Sequence, residues 1–234
     1  ADLIARGTTR VAMFSTLHTD ATLILMEELE RAGVTGYVGK VNMDRNGGEK
    51  LQETTDESVA ETLRWLEQCC FEHIKPILTP RFTPSCTDTL MEQLGRIAAE
   101  RRLYVQSHLS ENTGEMDWVG ELCPDCGEYW ETYAKHGLWK SHTIMAHCVH
   151  SSEREQRAMA EAGVLAVHCA DSNVNILSGT APVRQLLERG VRVALGSDVA
   201  GGAQLGMPQV ITASIRASKV KCMETGMPFL TVPE

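Results

Sequence analysis

Short apolar, β-branched runs alternate along the whole chain with longer stretches whose apolar residues recur at three- and four-residue spacing. Thr8 to Phe14 predicts a strand, Asp20 to Arg31 a helix ended by Gly33, and Gly36 to Val41 the next strand. After a polar loop at Asn46-Gly47-Gly48, Thr54-x-x-Glu57 has capping-box spacing, and Val59, Leu63, Leu66 and Cys70 follow at helical period. Ile74 to Thr79 predicts a strand, then a helix opened at Ser85-x-x-Asp88 with Leu90, Leu94 and Ile97 on one face. Leu103 to His108 is the next strand, and helical stretches run from it to about Lys135, with a stop at Gly137. Thr143 to His147 leads to a helix entered at Ser152-x-x-Glu155 and ended by Gly163. Val164 to His168 leads to a helix with Pro182 in its first turn and Gly190 past its end. Val191 to Gly196 and a helix from about Pro208 complete seven βα units.

Strands apolar on both faces, each followed by a helix, predict a parallel sheet covered by helices. Doubly wound sheets and (β/α)₈ barrels share that order. A doubly wound nucleotide fold expects a Gly-rich phosphate loop, and the chain has neither GxGxxG nor GxxxxGK[ST]. Instead, ionisable residues stand at the C-terminal ends of successive strands, where a (β/α)₈ barrel keeps its chemistry. The expectation is an α/β fold, one (β/α)₈ TIM-barrel domain over residues 1–234, incomplete at seven units.

Charge and cysteine content narrow the partners. Asp and Glu outnumber Lys and Arg by 31 to 22, a net charge of −9, with no basic cluster to neutralise phosphates, which argues against nucleic acid and membrane surfaces. Apolar runs such as Ala21 to Met26 fall far short of a bilayer span, and no secretory signal is visible. The eight cysteines are scattered through mostly apolar contexts, as in a reducing, cytoplasmic compartment. Cys123-Pro-Asp-Cys126 has no second pair to complete a zinc knuckle, and a redox dithiol needs a strand before it and a helix after.

The strand ends collect Arg81, His108, His147, His168 and Asp198. Parallel neighbouring strands would turn all five toward one mouth, and imidazole with carboxylate there suits zinc or Fe(II). Each residue alone also fits a blander role: a hydrogen-bonded rim histidine, a turn cap at Asp198, a surface ion pair at Arg81. His108-Leu109-Ser110-Glu111 places a metal-ligand type and a proton-transfer group within one loop turn, as metal-assisted hydrolysis requires. Glu111 equally fits the first turn of the following helix, against its dipole.

His108-Leu-Ser-Glu111, Met145-Ala-His147, Pro80-Arg81-Phe82 and Gly196-Ser-Asp198-Val-Ala-Gly-Gly202 together resemble the amidohydrolase superfamily of metal-dependent barrels, over nearly the whole chain. Pro-Arg-Phe and Ser-Asp-Val-Ala-Gly-Gly further resemble its guanine-deaminating branch. The resemblance implies zinc-dependent hydrolysis of guanine to xanthine and ammonia, with one Zn²⁺ (or Fe²⁺) per subunit and a homodimer. It implies His108 and Asp198 as metal ligands, with His147 a third candidate. Asp198 would also take a proton from the attacking water, Glu111 would shuttle a proton to the purine ring nitrogen, and His147 would orient the water or the developing oxyanion. Arg81, with Phe82 beside it, would bind the purine, and His108, Ser110, Glu111 and Asp198 would also line its site.

The family's first strand ends in His-x-His, and this chain has no His-x-His. Together with the count of seven units and the start at Ala1, this leads to the expectation of a truncated barrel whose metal site is incomplete. The alternatives are a deaminase or chlorohydrolase acting on another heterocycle, or an inactive truncated barrel.

Overall fold

The structure, a computed structural model, describes residues 2–231, and Ala1 lies outside them. The chain divides into two compact units, Ala1–Ser107 with Thr132–Trp139, and His108–Glu131 with Lys140–Glu234.

The first unit opens with α1 (Asp2–Ala5), β1 (Arg10–Phe14), α2 (Thr19–Arg31), β2 (Thr35–Gly39), β3 (Val41–Asn42) and α3 (Thr55–Gln68). β4 (Ile74–Pro76), β5 (Thr79–Pro80) and α4 (Asp88–Arg101) follow, with the start of β6 (Val105–Leu109). β1, β2 and β4 form a parallel sheet in that order, and β3 pairs with β5, also parallel. Val38 and Ile74 of this sheet pack with Met26 and Leu29 of α2, Val34 and Trp65 of α3. Gly36 sits at φ +138° where an added Cβ would lie 2.0 Å from the Val11 carbonyl oxygen, so β1 and β2 pair only around glycine.

Three local expectations change. The strand foreseen over Gly36 to Val41 breaks between β2 and β3 at Lys40, which is fully buried with Nζ 2.8 Å from Glu53. Burial drives the Lys40 pKa down against the pull of that carboxylate. In α3 the Thr54–Glu57 capping box forms, but the buried face is Ser58, Thr62 and Trp65 rather than the apolar row beginning at Val59. Asn42 Nδ2 donates to Ser58 Oγ at 2.9 Å and to Thr62 Oγ1 at 2.8 Å, and these bonds satisfy the buried hydroxyls. Thr87, not Ser85, caps α4, its hydroxyl accepting from Leu90 N; Ser85 ends a short 3₁₀ turn.

The second unit contains α5 (Thr113–Leu122), the start of α6 (Tyr129–Ala134), β7 (Thr143–His147), α7 (Glu153–Ala162) and β8 (Leu165–His168). It continues through α8 (Ala170–Asn175), α9 (Val183–Glu188), β9 (Arg192–Leu195) and α10 (Met207–Thr225). The sheet order is β6-β7-β8-β9, and the register Ile144↔Leu165 and Leu165↔Arg192 brings the C-terminal ends of β7, β8 and β9 side by side. Ser152 caps α7 and Gly163 ends it in the left-handed region, as the sequence predicts. α8 was not foreseen. No described helix is long and apolar enough to cross a membrane.

Candidate active site

His108 leaves β6 and His147 ends β7, and their rings stack with centroids 5.3 Å apart at 15°. His147 is 2% exposed and adopts φ +74°, followed by Cys148 at φ +51°. Two successive non-glycine residues in the left-handed region are costly and mark a place where surrounding contacts dictate the backbone. One such contact is Cys148 N donating to Leu109 O at 3.0 Å. On the side chain, His147 Nδ1 lies 2.8 Å from Asn173 Oδ1 and 3.3 Å from Glu111 Oε1. With two oxygens beside it, Nδ1 is a donor nitrogen.

His168, the last residue of β8, is 3% exposed, and neither ring nitrogen has a hydrogen-bond partner among the described residues. Burial, and secondarily His147, push its pKa down to about 4, so the ring is neutral at physiological pH. The neighbouring Cys169 thiol is pushed up to about 12, first by burial and then by the carboxylates of Asp198 and Glu111. Both carboxylates therefore lie within electrostatic reach of one thiol. Asp198, exposed after β9 at φ +44°, accepts from Gly202 N at 2.6 Å. A Cβ on Gly201 would lie 2.7 Å from Asp198 Oδ2 and 2.5 Å from Ser172 Oγ, so a larger residue here would displace those two side chains.

His108, Glu111, His147, His168 and Asp198 thus belong to one unit, and His108, Glu111 and His147 are tied together by direct contacts. Ser110, between two of them, is 1% exposed and donates its hydroxyl to Glu155 Oε1 at 2.8 Å. Arg81 and Phe82 belong to the other unit, directly after β5, where the guanidinium carbon sits 4.8 Å over the Phe82 ring. Cys126 N donates to Cys123 O at 3.0 Å in a turn that follows α5, so the strand a redox CxxC requires before it is a helix here.

Sequence reasoning missed Asn173 and Glu155 as participants. Asn173 was legible only as one of three polar residues after His168-Cys169, and Glu155 as a residue of the α7 cap.

Among the described residues no three His, Cys, Asp or Glu side chains are gathered closely enough to hold a metal ion. The donor chemistry fits one nonetheless. Nδ1 of His147 is taken up by Asn173, and the buried, neutral His168 ring has no partner on either nitrogen, which is the protonation state and desolvation a metal-bound imidazole needs.

The chain belongs to the amidohydrolase family, whose profile matches residues 1–230. The barrel-type α/β fold expected from the strand and helix order is the fold of this family. Within it, the chain is similar to guanine deaminases: 42% identical over 93% of its length to that of Mus musculus, and 37% over 96% to that of Dictyostelium discoideum. It covers 49% and 50% of those two proteins, so it spans about half the length of the curated relatives it matches. Among solved structures, a guanine deaminase from C. acetobutylicum with guanine bound in its active site matches at TM-score 0.95 and 44% identity, covering 98% of this chain and 56% of that one.

Proposed function

We propose that the protein carrying this chain hydrolyses guanine to xanthine and ammonia. The observation that carries the reading is the His147 contact to both Glu111 and Asn173, in a chain 44% identical to a guanine deaminase with guanine bound. All of residues 1–234 are read as one hydrolase domain, with the protein a homodimer in the cytoplasm.

The residues divide the work as follows. His147 Nε2, its ring held by Asn173, accepts an O–H of the attacking water and fixes its direction. Asp198 takes the proton that the water loses on attack at C2. Glu111, largely buried beside His147, delivers a proton to the ring nitrogen next to C2, which lets the tetrahedral carbon form; the amino group then takes the proton held by Asp198 and leaves as ammonia, while the new hydroxyl gives its proton to Glu111 and becomes the carbonyl. Arg81 donates to the purine carbonyl, where a planar guanidinium suits a carbonyl and adjacent ring nitrogen, and Phe82 packs beside the base. His108, Ser110, Glu111 and Asp198 are proposed as further purine-binding residues. His108 and Asp198 would hold zinc, or Fe²⁺, with His147 a third ligand only in place of its bond to the water; the ion when bound supplies a Lewis acid that makes water acidic near neutral pH. Ammonia and xanthine formation from guanine by the intact zinc-loaded protein tests the reading.

A further inference from the structure

Glu155 is 2% exposed, and its side chain lies away from the role its sequence position suggests. In Ser152-x-x-Glu155 the glutamate of a capping box would turn back to the cap residue's N–H. Here Ser152 Oγ accepts from Glu155 N at 3.0 Å, but the Glu155 carboxyl instead accepts from Ser110 Oγ at 2.8 Å. Ser110 lies between His108 and Glu111, at φ +48°, and its carbonyl accepts from His150 N at 2.9 Å. From Glu111 onward the chain is held separately: Glu111 N donates to Glu115 Oε2 at 3.1 Å, and Asn112 and Glu115 close a capping box at the start of α5. Glu155 is therefore the side-chain hold, beside the backbone bond from His150 N, on the residue that precedes the proton-shuttling Glu111, through a serine whose backbone is bent into the left-handed region.

We propose that Glu155 is a positioning residue for Glu111, acting through the Ser110 hydroxyl. The inference rests on the reading of Glu111 as the proton shuttle. A carboxyl on α7 that fixes Ser110 sets where the Glu111 carboxylate stands relative to His147, and it touches neither substrate nor metal.

The test is a double-mutant cycle in the intact zinc-loaded protein: Ser110→Ala, Glu155→Ala, the double variant, and Glu155→Gln, which keeps an acceptor oxygen for Ser110. kcat and KM for guanine are measured together with deuterium uptake of the segment from Ser110 to Met116. Each single alanine variant is expected to lower kcat about 10–100-fold, with KM within about threefold in Glu155→Ala, and the double variant to have a kcat no lower than the poorer single. Uptake in the segment rises about tenfold in both alanine variants and stays unchanged in Glu155→Gln, which keeps kcat within about threefold of the parent. Losses that multiply in the double variant, or a Glu155→Gln loss equal to that of Glu155→Ala, overturn the proposal. Should Glu155→Ala fail to fold, Ser110→Ala against Glu155→Gln decides it: an impaired first and intact second support it, any other pairing refutes it. If the parent protein does not turn over guanine, that counts against the guanine reading alone, and the exchange data still decide the hold on the loop.

Discussion

Asn173 holds His147: the amide oxygen lies 2.8 Å from Nδ1, and both side chains are buried. A buried imidazole has two tautomers, and the partner of one nitrogen decides what the other can do. Asn173 engages Nδ1 and so leaves Nε2 for the proposed contact to the attacking water. Asn173→Ala should lower kcat about 10–100-fold, with a smaller change in KM and in thermal stability. Turnover unchanged in a variant whose melting temperature falls would show that Asn173 only packs.

Glu111→Gln keeps the shape of the side chain and removes its capacity to exchange a proton. Ammonia release from guanine should fall by about two to four orders of magnitude while zinc content stays near that of the parent. Turnover at the parent rate would remove Glu111 from the proton path.

Arg81→Ala should raise KM for guanine far more than it changes zinc content. The guanidinium sits over Phe82 and is assigned to the purine carbonyl, so its loss weakens substrate binding without touching the metal donors. Loss of zinc in this variant would make Arg81 structural.

The α7 carboxyl gives a pH signature. Burial, the dominant cause, raises the Glu155 pKa from 4.5 to about 7 against the hydrogen bond of Ser110, with Glu128 adding repulsion. Between those two values the folded protein binds more protons than the unfolded chain, so stability is fullest below the lower one and declines as pH rises through the window. Urea unfolding at pH 5 and pH 8 should show the parent losing as much as about 3 kcal/mol more than Glu155→Gln across that interval. Parallel curves for the two proteins would place Glu155 in an ordinary, solvated environment.

The alternation of strands and helices was legible because hydrophobic period and capping chemistry agree: Thr54 with Glu57, Ser152 with Glu155 N, and Gly163 at the end of α7 all act where the sequence places them. The strand-end histidines were legible for the same reason, since a polar residue closing an apolar run has few other uses. The inner face of α3 was not, because Ser58 and Thr62 are buried by bonds from Asn42, sixteen and twenty residues away in sequence. Nor was α8: it spans six residues, too short for a period to show, yet it brings Asn173 to His147. Glu155 reads from sequence as a cap and only the fold reveals its bond to Ser110. Interactions that join distant elements through polar side chains leave no local pattern.

The central proposal is that the protein carrying this amidohydrolase-family chain deaminates guanine. The most direct measurement is of ammonia and base product formed by the intact protein, zinc-loaded and zinc-stripped, from guanine, adenine and cytosine. The account predicts xanthine and ammonia in equal amounts from guanine, negligible release from the other two bases, and loss of the activity on removing the metal. Release from adenine or cytosine with none from guanine, by zinc-loaded protein, would contradict it.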